Sequence, residues 1–351
     1  MSFDAAYEAL TDHDDDARWA YGTGFTDPLA GVESAVPQGV DRGDLTAYCL
    51  ALGDDALIMS HRLQQWVTRA PELEDELALA NIALDLLGQA RLLLSRAAEV
   101  EDAGRDEDAL AYLRDAAEFR NVRLVERADA DFAHLVARLL VFATWRLALL
   151  DGLSASADPV LAAIGAKGVK EVTYHRDYAA QWVVRLGDGT EISHARMQSA
   201  IDAVTPLIDE LFRPDQTELR LAAGPVAGGA AGSAVGPIAG SAAGRAAGSA
   251  AGPVAGPVAV DPSTLRSEFD AVWSQVLEAA TLHAAPPEDA PSAVPAQAAG
   301  SAGPAPGGAG HDPAGRAALA GSGRDGLHTA ELTGILAELQ SVARSLPGGV
   351  W

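Results

Sequence analysis

The stretch APELEDELALANIALDLLGQARLLL, residues 70–94, decides the class of fold. Its leucines and alanines recur at steps of three and four residues, which is the period of an amphipathic helix. One apolar face of this helix consists of Leu73, Leu77, Ala80, Leu84 and Leu87. A long helix with such a face needs other helices to pack against, so the stretch predicts a helical bundle.

The sequence on both sides repeats this pattern, and no strand is needed to explain it. Asp158 before Pro159 marks one helix start, because the carboxylate can cap free amides and proline at the first position loses no hydrogen bond. A second apolar face comprises Leu161, Ile164, Gly168, Val172, His175, Ala179, Trp182 and Leu186. Helices are predicted at residues 44–68, 74–99, 107–120, 131–152, 158–186, 194–212, 263–282 and 328–345.

Composition and charge exclude several classes of function. Of the 351 residues 48% are hydrophobic, which is enough for a sizeable core. Aspartate and glutamate outnumber lysine and arginine by 49 to 25, and the formal charge of -24 disfavours nucleic acid and anionic membrane surfaces as partners. Cys49 is the only cysteine, so thiols build neither a disulfide nor a zinc cluster within the chain.

The chain is expected to be cytoplasmic and to have no membrane span. Its first residues are acidic, the opposite of the basic region that begins a signal peptide. The longest apolar helix, 132–150, contains His134, Arg138 and Arg146, which are costly in a bilayer and are predicted to lie on the flank of a soluble helix.

Two stretches of low complexity interrupt the chain. The first, 222–260, is almost entirely Ala, Gly, Val, Pro and Ser, and the second, 284–325, is rich in proline. Neither can bury enough apolar surface to offset the entropy of ordering, so both are predicted to be passive linkers. The other divisions are an N-terminal extension at 1–43, a helical bundle at 44–221, a helix of that domain at 261–283 and its C-terminal helix at 326–351.

A di-iron carboxylate bundle takes one glutamate from each of two helices and a Glu-x-x-His pair from each of the other two. Here the helix 131–152 has no carboxylate at its centre, and Gly88 and Val172 stand where a histidine and a carboxylate are needed. The candidate positions are Asp54, Asp55, Asp85, Gly88, Glu171, Val172 and His175. They form at best part of a ligand set, so we predict neither a metal site nor a catalytic site in this chain.

His175 has two interpretations. We favour a core histidine that is hydrogen-bonded to a neighbour, since a lone buried histidine usually needs only a partner; iron ligation is the alternative. Lys167, Glu171 and His175 also form a row at four-residue spacing. If the row faces inward, the lysine can balance leftover carboxylates in place of a metal ion, and otherwise it is an ordinary surface row of ion pairs.

Two short motifs have structural explanations. Asp131 and His134 match Asp-x-x-His, but they open a helix, where aspartate is favoured as a cap. Gly187-Asp188-Gly189 has too few glycines for a phosphate-binding loop and is predicted to be a tight turn between helices. Ser, His and Asp residues are scattered without a nucleophile motif, so nothing indicates a hydrolase.

Five blocks of sequence together resemble one known family. They are LTAYCLALGDDALIMSHRLQQW at 45–66, APELEDELALANIALDLLGQARLLL at 70–94, AKGVKEVTYHRDYAAQWVVRLGDGTEIS at 166–193, VDPSTLRSEFDAVW at 260–273 and GLHTAELTGILAELQSVARSLPGG at 326–349. In this order they resemble the structural subunits of the phenylacetyl-CoA ring 1,2-epoxidase, a monooxygenase of phenylacetate catabolism.

The resemblance implies an all-α, ferritin-like subunit without a catalytic site. It also implies a related catalytic partner that holds the di-iron centre, a small accessory subunit, and a reductase with flavin and iron–sulfur groups. No cofactor is then expected in this chain. Two alternatives stay open: an active di-iron oxygenase or metal-binding protein with a non-standard ligand set, and a module that binds the coenzyme A part of the substrate.

Overall fold

The chain folds as an all-α, ferritin-like bundle in a computed structural model, which describes residues 29–224, 256–284 and 321–346. Within these ranges no strand forms. The helices are α1 Arg42–Gln64, α2 Leu73–Glu101, α3 Glu107–Tyr112, α4 Phe132–Leu153, α5 Pro159–Gly187, α6 Glu191–Val204, α7 Gln216–Ala223, α8 Arg266–Ala279, α9 Ala330–Leu339 and α10 Ser341–Ser345.

The four long helices α1, α2, α4 and α5 build the bundle. α1 packs mainly on α2, and α4 packs mainly on α5, while α6 and α8 lie against this second pair. The start of α5 is capped as predicted, because the Asp158 carboxylate accepts hydrogen bonds from the amides of Val160 and Leu161. Asp131 likewise caps α4 through the amide of His134, and Gly187 to Gly189 form the turn into α6.

The apolar helix α4 runs through the middle of the protein. Arg138 and Arg146 were predicted on its flank, which is wrong: they are 1% and 0% exposed. Arg138 survives burial because the Asp129 carboxylate accepts from its guanidinium, with one bond of 2.8 Å. Both α2 and α4 are long and apolar enough to cross a membrane, but 89% of the most apolar window of α4 is buried in the molecule, against 44% for α2.

Several predicted helix ends differ from the structure. The helix predicted at 107–120 stops at Tyr112, because Arg114 turns inward and the amide of Asp115 donates to the Glu118 carboxylate. The helix predicted at 194–212 changes at Thr205–Phe212 to a tighter 3-10 helix, which contains Pro206. Helix α7 was not predicted, although Asp215 and Glu218 cap each other in the pattern that marks a helix start.

Residues at the edges of both predicted linkers take part in the fold. Residues 222 and 223 end α7. Val258 is buried, its amide donates to the carbonyl of Leu221 and its carbonyl accepts from the hydroxyl of Ser156. Gly323 and Arg324, at the end of the second stretch, are buried as well. The central parts of both stretches, and residues 1–28 of the N-terminal extension, lie outside the described residues, so the division into domains stays a prediction.

Residues 321–346 pack on the bundle through Leu332, Ile335 and Leu336 and are also attached through buried polar groups. The Glu126 carboxylate, which is fully buried, accepts hydrogen bonds from the amide and hydroxyl of Thr329 and lies 2.7 Å from Nδ1 of His328. Nε2 of His328 lies 2.9 Å from the carbonyl oxygen of Phe119. A protonated imidazole donates to both acceptors at once, so this attachment depends on the charge of His328.

We predict that this attachment weakens as pH rises. Burial favours the neutral form of His328, but Glu126 and the Phe119 carbonyl outweigh it and raise the pKa above its ordinary 6.5. A raised folded-state pKa means that the stabilisation is complete below pH 6.5 and is lost as pH rises through the folded-state pKa. His328→Gln should therefore cost about 1–3 kcal/mol at pH 6 and clearly less at pH 9, as measured by urea unfolding.

His283→Gln, at an exposed histidine, is the control and should show no such trend. A cost of His328→Gln that is equal at both pH values would contradict the prediction.

Candidate functional site

The structure brings Asp85 of α2 and His175 of α5 together. Their Oδ2 and Nε2 atoms are 3.0 Å apart, and His175 is 1% exposed. This confirms the prediction of a core histidine that is hydrogen-bonded to a neighbour. The pair connects α2 to α5, which contact each other in the bundle.

A chain of polar side chains crosses the bundle next to this pair. The Glu171 carboxylate accepts from the ammonium of Lys167 and, at 3.1 Å, from Nε2 of Gln89. Oε1 of Gln89 accepts from Nε of Arg146 at 3.3 Å, and Nη1 of Arg146 donates to the carbonyl of Leu52 at 3.1 Å. The four long helices are thereby connected through one network.

Arg146 is the residue that sequence reasoning missed. It is fully buried, and burial lowers its pKa to about 10, so the group still carries its charge at neutral pH. Its Nη2 atom has no hydrogen-bond partner among the described residues. Lys167, in contrast, lies at the edge with 37% of its side chain exposed, so the cation inside the bundle is the arginine. An arginine within the apolar run VFATWRLALL, 141–150, is the signal that could have identified it.

The remaining candidate positions do not complete a metal site. Val172 is a fully buried apolar residue, and a side chain added at Gly88 would meet no atom within 4 Å. Gln89, the next residue, takes the inward position instead. Among the described residues no group of three or more His, Cys, Asp or Glu side chains is placed to hold a metal ion. The donor set around Asp85 and His175 therefore does not fit a di-iron centre.

Asp54 and Asp55 have a different role from the one that the ligand pattern suggests. Both are fully buried, and each is bound by an arginine from another segment. Asp54 receives both terminal nitrogens of Arg114 and the amide of Arg120 at 2.9 Å. Burial raises the pKa of Asp54, and Arg114 opposes that shift only in part.

Asp55 is bound from the far end of the chain. Nη2 of Arg324 donates to it at 2.7 Å and Nη1 at 3.1 Å, and the amide of Val122 adds a bond of 2.8 Å. Burial disfavours the charged form of Arg324, but the carboxylates of Asp55 and Glu218 outweigh this effect and raise the pKa of Arg324. Two adjacent aspartates thus bind two loops to α1, which makes them structural groups.

Comparisons with known proteins show what this chain is similar to. The family model described as "Phenylacetic acid catabolic protein" matches residues 32–298. A protein of Escherichia coli strain K12, named as one of the subunits of 1,2-phenylacetyl-CoA epoxidase, is 39% identical over 307 residues. The alignment covers 88% of this chain and 99% of that protein.

Removing the cation from Asp55 should destabilise the fold strongly. Arg324→Met leaves a fully buried carboxylate without its guanidinium, so we expect a loss of about 3–5 kcal/mol in the free energy of unfolding, measured by chemical denaturation. Arg220→Met is the matched control, because Arg220 forms a similar two-bond pair with Asp44 at the exposed surface. An equal loss of unfolding free energy in Arg324→Met and Arg220→Met would show that the buried Asp55 does not need its arginine partner and would contradict the prediction.

Iron should not bind in stoichiometric amount to the purified chain. Gly88 has no imidazole and Val172 has no side-chain oxygen. The fixed charge of Arg146 also repels an iron cation inside the bundle. Metal analysis after anaerobic loading with ferrous iron should find well below one iron per chain. Two irons per chain that disappear in the Asp85→Ala/His175→Ala double variant would contradict this prediction.

Proposed function

The chain belongs to the phenylacetic acid catabolic protein family, and from this membership we propose that it is the structural, non-catalytic subunit of a multicomponent phenylacetyl-CoA ring 1,2-epoxidase. The observation that supports the non-catalytic role is the network that connects Lys167, Glu171, Gln89 and Arg146. It fills the centre of the bundle with the chain's own charged and amide groups. Chemistry on oxygen then has to take place in another subunit.

The physical argument rests on charge. A di-iron site collects carboxylates around two cations, and its ligands have to be free to bind them. In this chain Asp54 and Asp55 are each bound by an arginine, and Glu171 is shared between Lys167 and Gln89. Iron would have to displace these partners and leave buried arginines unpaired, which costs several kcal/mol for each charge.

The proposed partners follow from the resemblance and from the name of the Escherichia coli relative, which marks that protein as one subunit of several. We propose that this chain supports a related catalytic subunit with a di-iron centre, and that a small accessory subunit and a reductase with flavin and iron–sulfur groups complete the complex. Iron, flavin and iron–sulfur groups then all reside in partners. The proposed location is the cytoplasm, where phenylacetyl-CoA and these partners are expected.

Co-expression with the candidate catalytic subunit tests the proposal. The two chains should elute together in size-exclusion chromatography, and ring epoxidation should require both of them together with the reductase. Each chain alone should be inactive. Epoxidation by this chain and the reductase without the catalytic subunit would overturn the structural assignment, and failure of the chains to associate would overturn the assignment as a subunit.

A further inference from the structure

Helix α2 has a second apolar face that no described residue covers. Its inward face consists of residues such as Leu79, Ile82 and Leu86, which are fully buried. The face that the sequence marks most clearly points outward instead: Leu73 is 66% exposed, Leu77 57% and Leu84 60%. The prediction that this stripe serves the bundle is therefore wrong for these three leucines.

The stripe continues onto α5. Helices α2 and α5 run antiparallel along their contact, since Asp75 bonds to Tyr178 and Trp182 whereas Asp85 bonds to His175. On antiparallel helices the residues that precede two facing partners are rotated to the same side, which places Leu84 and Tyr174 on one side of the molecule. Tyr174 is 52% exposed. We call Leu73, Leu77, Leu84 and Tyr174 the outer apolar face. From Leu73 to Leu84 it is about 16 Å long at the rise of an α-helix, a length that suits a protein partner.

A cleft of about 310 Å³ opens at the Leu73 end of this face. Glu72, Glu74 and Asp75 line one side of it, and Tyr178, Gln181, Trp182 and Arg185 line the other. Arg185 lies over the indole ring of Trp182, with its Cζ atom 4.7 Å from the ring centre. The cleft therefore combines carboxylates with aromatic rings, and the chain's own Arg185 already covers the face of one of these rings.

The Asp75 carboxylate lies in this cleft, in the first turn of α2. The residue is 7% exposed, and it forms no ion pair with any described residue. Only neutral donors reach it: the hydroxyl of Tyr178 at 3.0 Å and Nε1 of Trp182 at 2.9 Å, both on Oδ1. Its Oδ2 atom is left for a donor from outside. A buried carboxylate normally has a charged partner. Arg185 lines the same cleft but lies over Trp182 and forms no ion pair with Asp75.

We propose that the outer apolar face and the Asp75 cleft form the docking surface for the catalytic subunit, and that an arginine or lysine of that subunit enters the cleft to pair with Asp75. The proposal rests on the proposed function, because it assumes that such a partner exists. Apolar side chains of the partner cover Leu73, Leu77, Leu84 and Tyr174. The inserted cation fixes the register, and the leucines supply most of the buried apolar area.

Charge favours a different protein over a second copy of this chain. The chain carries a formal charge of -24, so two copies repel each other. A partner that presents a basic side chain beside an apolar strip satisfies both features of the surface. The same argument disfavours residues 1–28 as the occupant, since their acidic residues outnumber their single arginine, Arg18.

Two substitutions separate the parts of the surface. Asp75→Asn removes the charge but keeps an oxygen that accepts from Tyr178 and Trp182, and Leu77→Ser removes an exposed apolar side chain. Ile192→Ser is the matched control, because Ile192 is an apolar residue, 69% exposed, on α6. Circular dichroism and thermal melting should show that all three variants keep the fold of the unaltered chain.

Affinity for the catalytic subunit should be measured by isothermal titration calorimetry at low and high salt. We expect Asp75→Asn and Leu77→Ser each to raise the Kd about tenfold or more, with Ile192→Ser unchanged. The Kd of the unaltered chain should rise with salt more steeply than that of Asp75→Asn, because only the former makes the ion pair.

If the unaltered chain binds and both variants bind equally well, the docking surface is wrong and the proposed function stands. If the unaltered chain does not bind at all, both are wrong. Sedimentation analysis provides the last check: a dimer of this chain that Leu77→Ser dissociates would assign the face to a second copy and overturn the proposal.

Discussion

Asp54 and Asp55 place two carboxylates side by side on α1, both without access to water. Each buried charge costs several kcal/mol unless it is paired and hydrogen-bonded, and the two side chains leave the helix in different directions. Arg114, in the loop after α3, forms an ion pair with Asp54, and Arg324, near the C-terminal end of the chain, forms one with Asp55. The loop at 113–126 and the segment at 321–326 are held on the bundle for this reason.

The same principle organises the centre of the bundle. Arg146 is a buried cation whose guanidinium donates to a carbonyl of α1 and to the side chain of Gln89. Gln89 in turn donates to the Glu171 carboxylate. A di-iron bundle directs carboxylates inward from its long helices, whereas the groups that meet between the long helices here include one fixed positive charge and an amide. This network joins the four long helices.

The sequence predicted what depends on local interactions. Asp131 and Asp158 cap helices as expected, because a cap involves only the next few residues. The burial of His175 also followed from its place on an apolar stripe, but its partner Asp85 lies 90 residues away and was not predicted. The sequence did not predict the partners of Asp54 and Asp55, since Arg114 and Arg324 lie 60 and 269 residues away and nothing in the apolar periodicity encodes such pairs. The apolar stripe of α2 was assigned to the wrong side for a related reason. A helix with two apolar faces has the same period on both, and periodicity does not tell a face covered by its own chain from one left for a partner.

The central claim is that this chain's bundle is closed by its own charges, so that iron resides in the partner. Anomalous X-ray diffraction at the iron absorption edge, on crystals of the chain bound to the proposed catalytic subunit, tests this directly because it locates each metal. The account predicts iron peaks in the catalytic subunit and none within this chain. A peak between Asp85 and His175, with Gln89 or Glu171 turned towards it, would contradict the account.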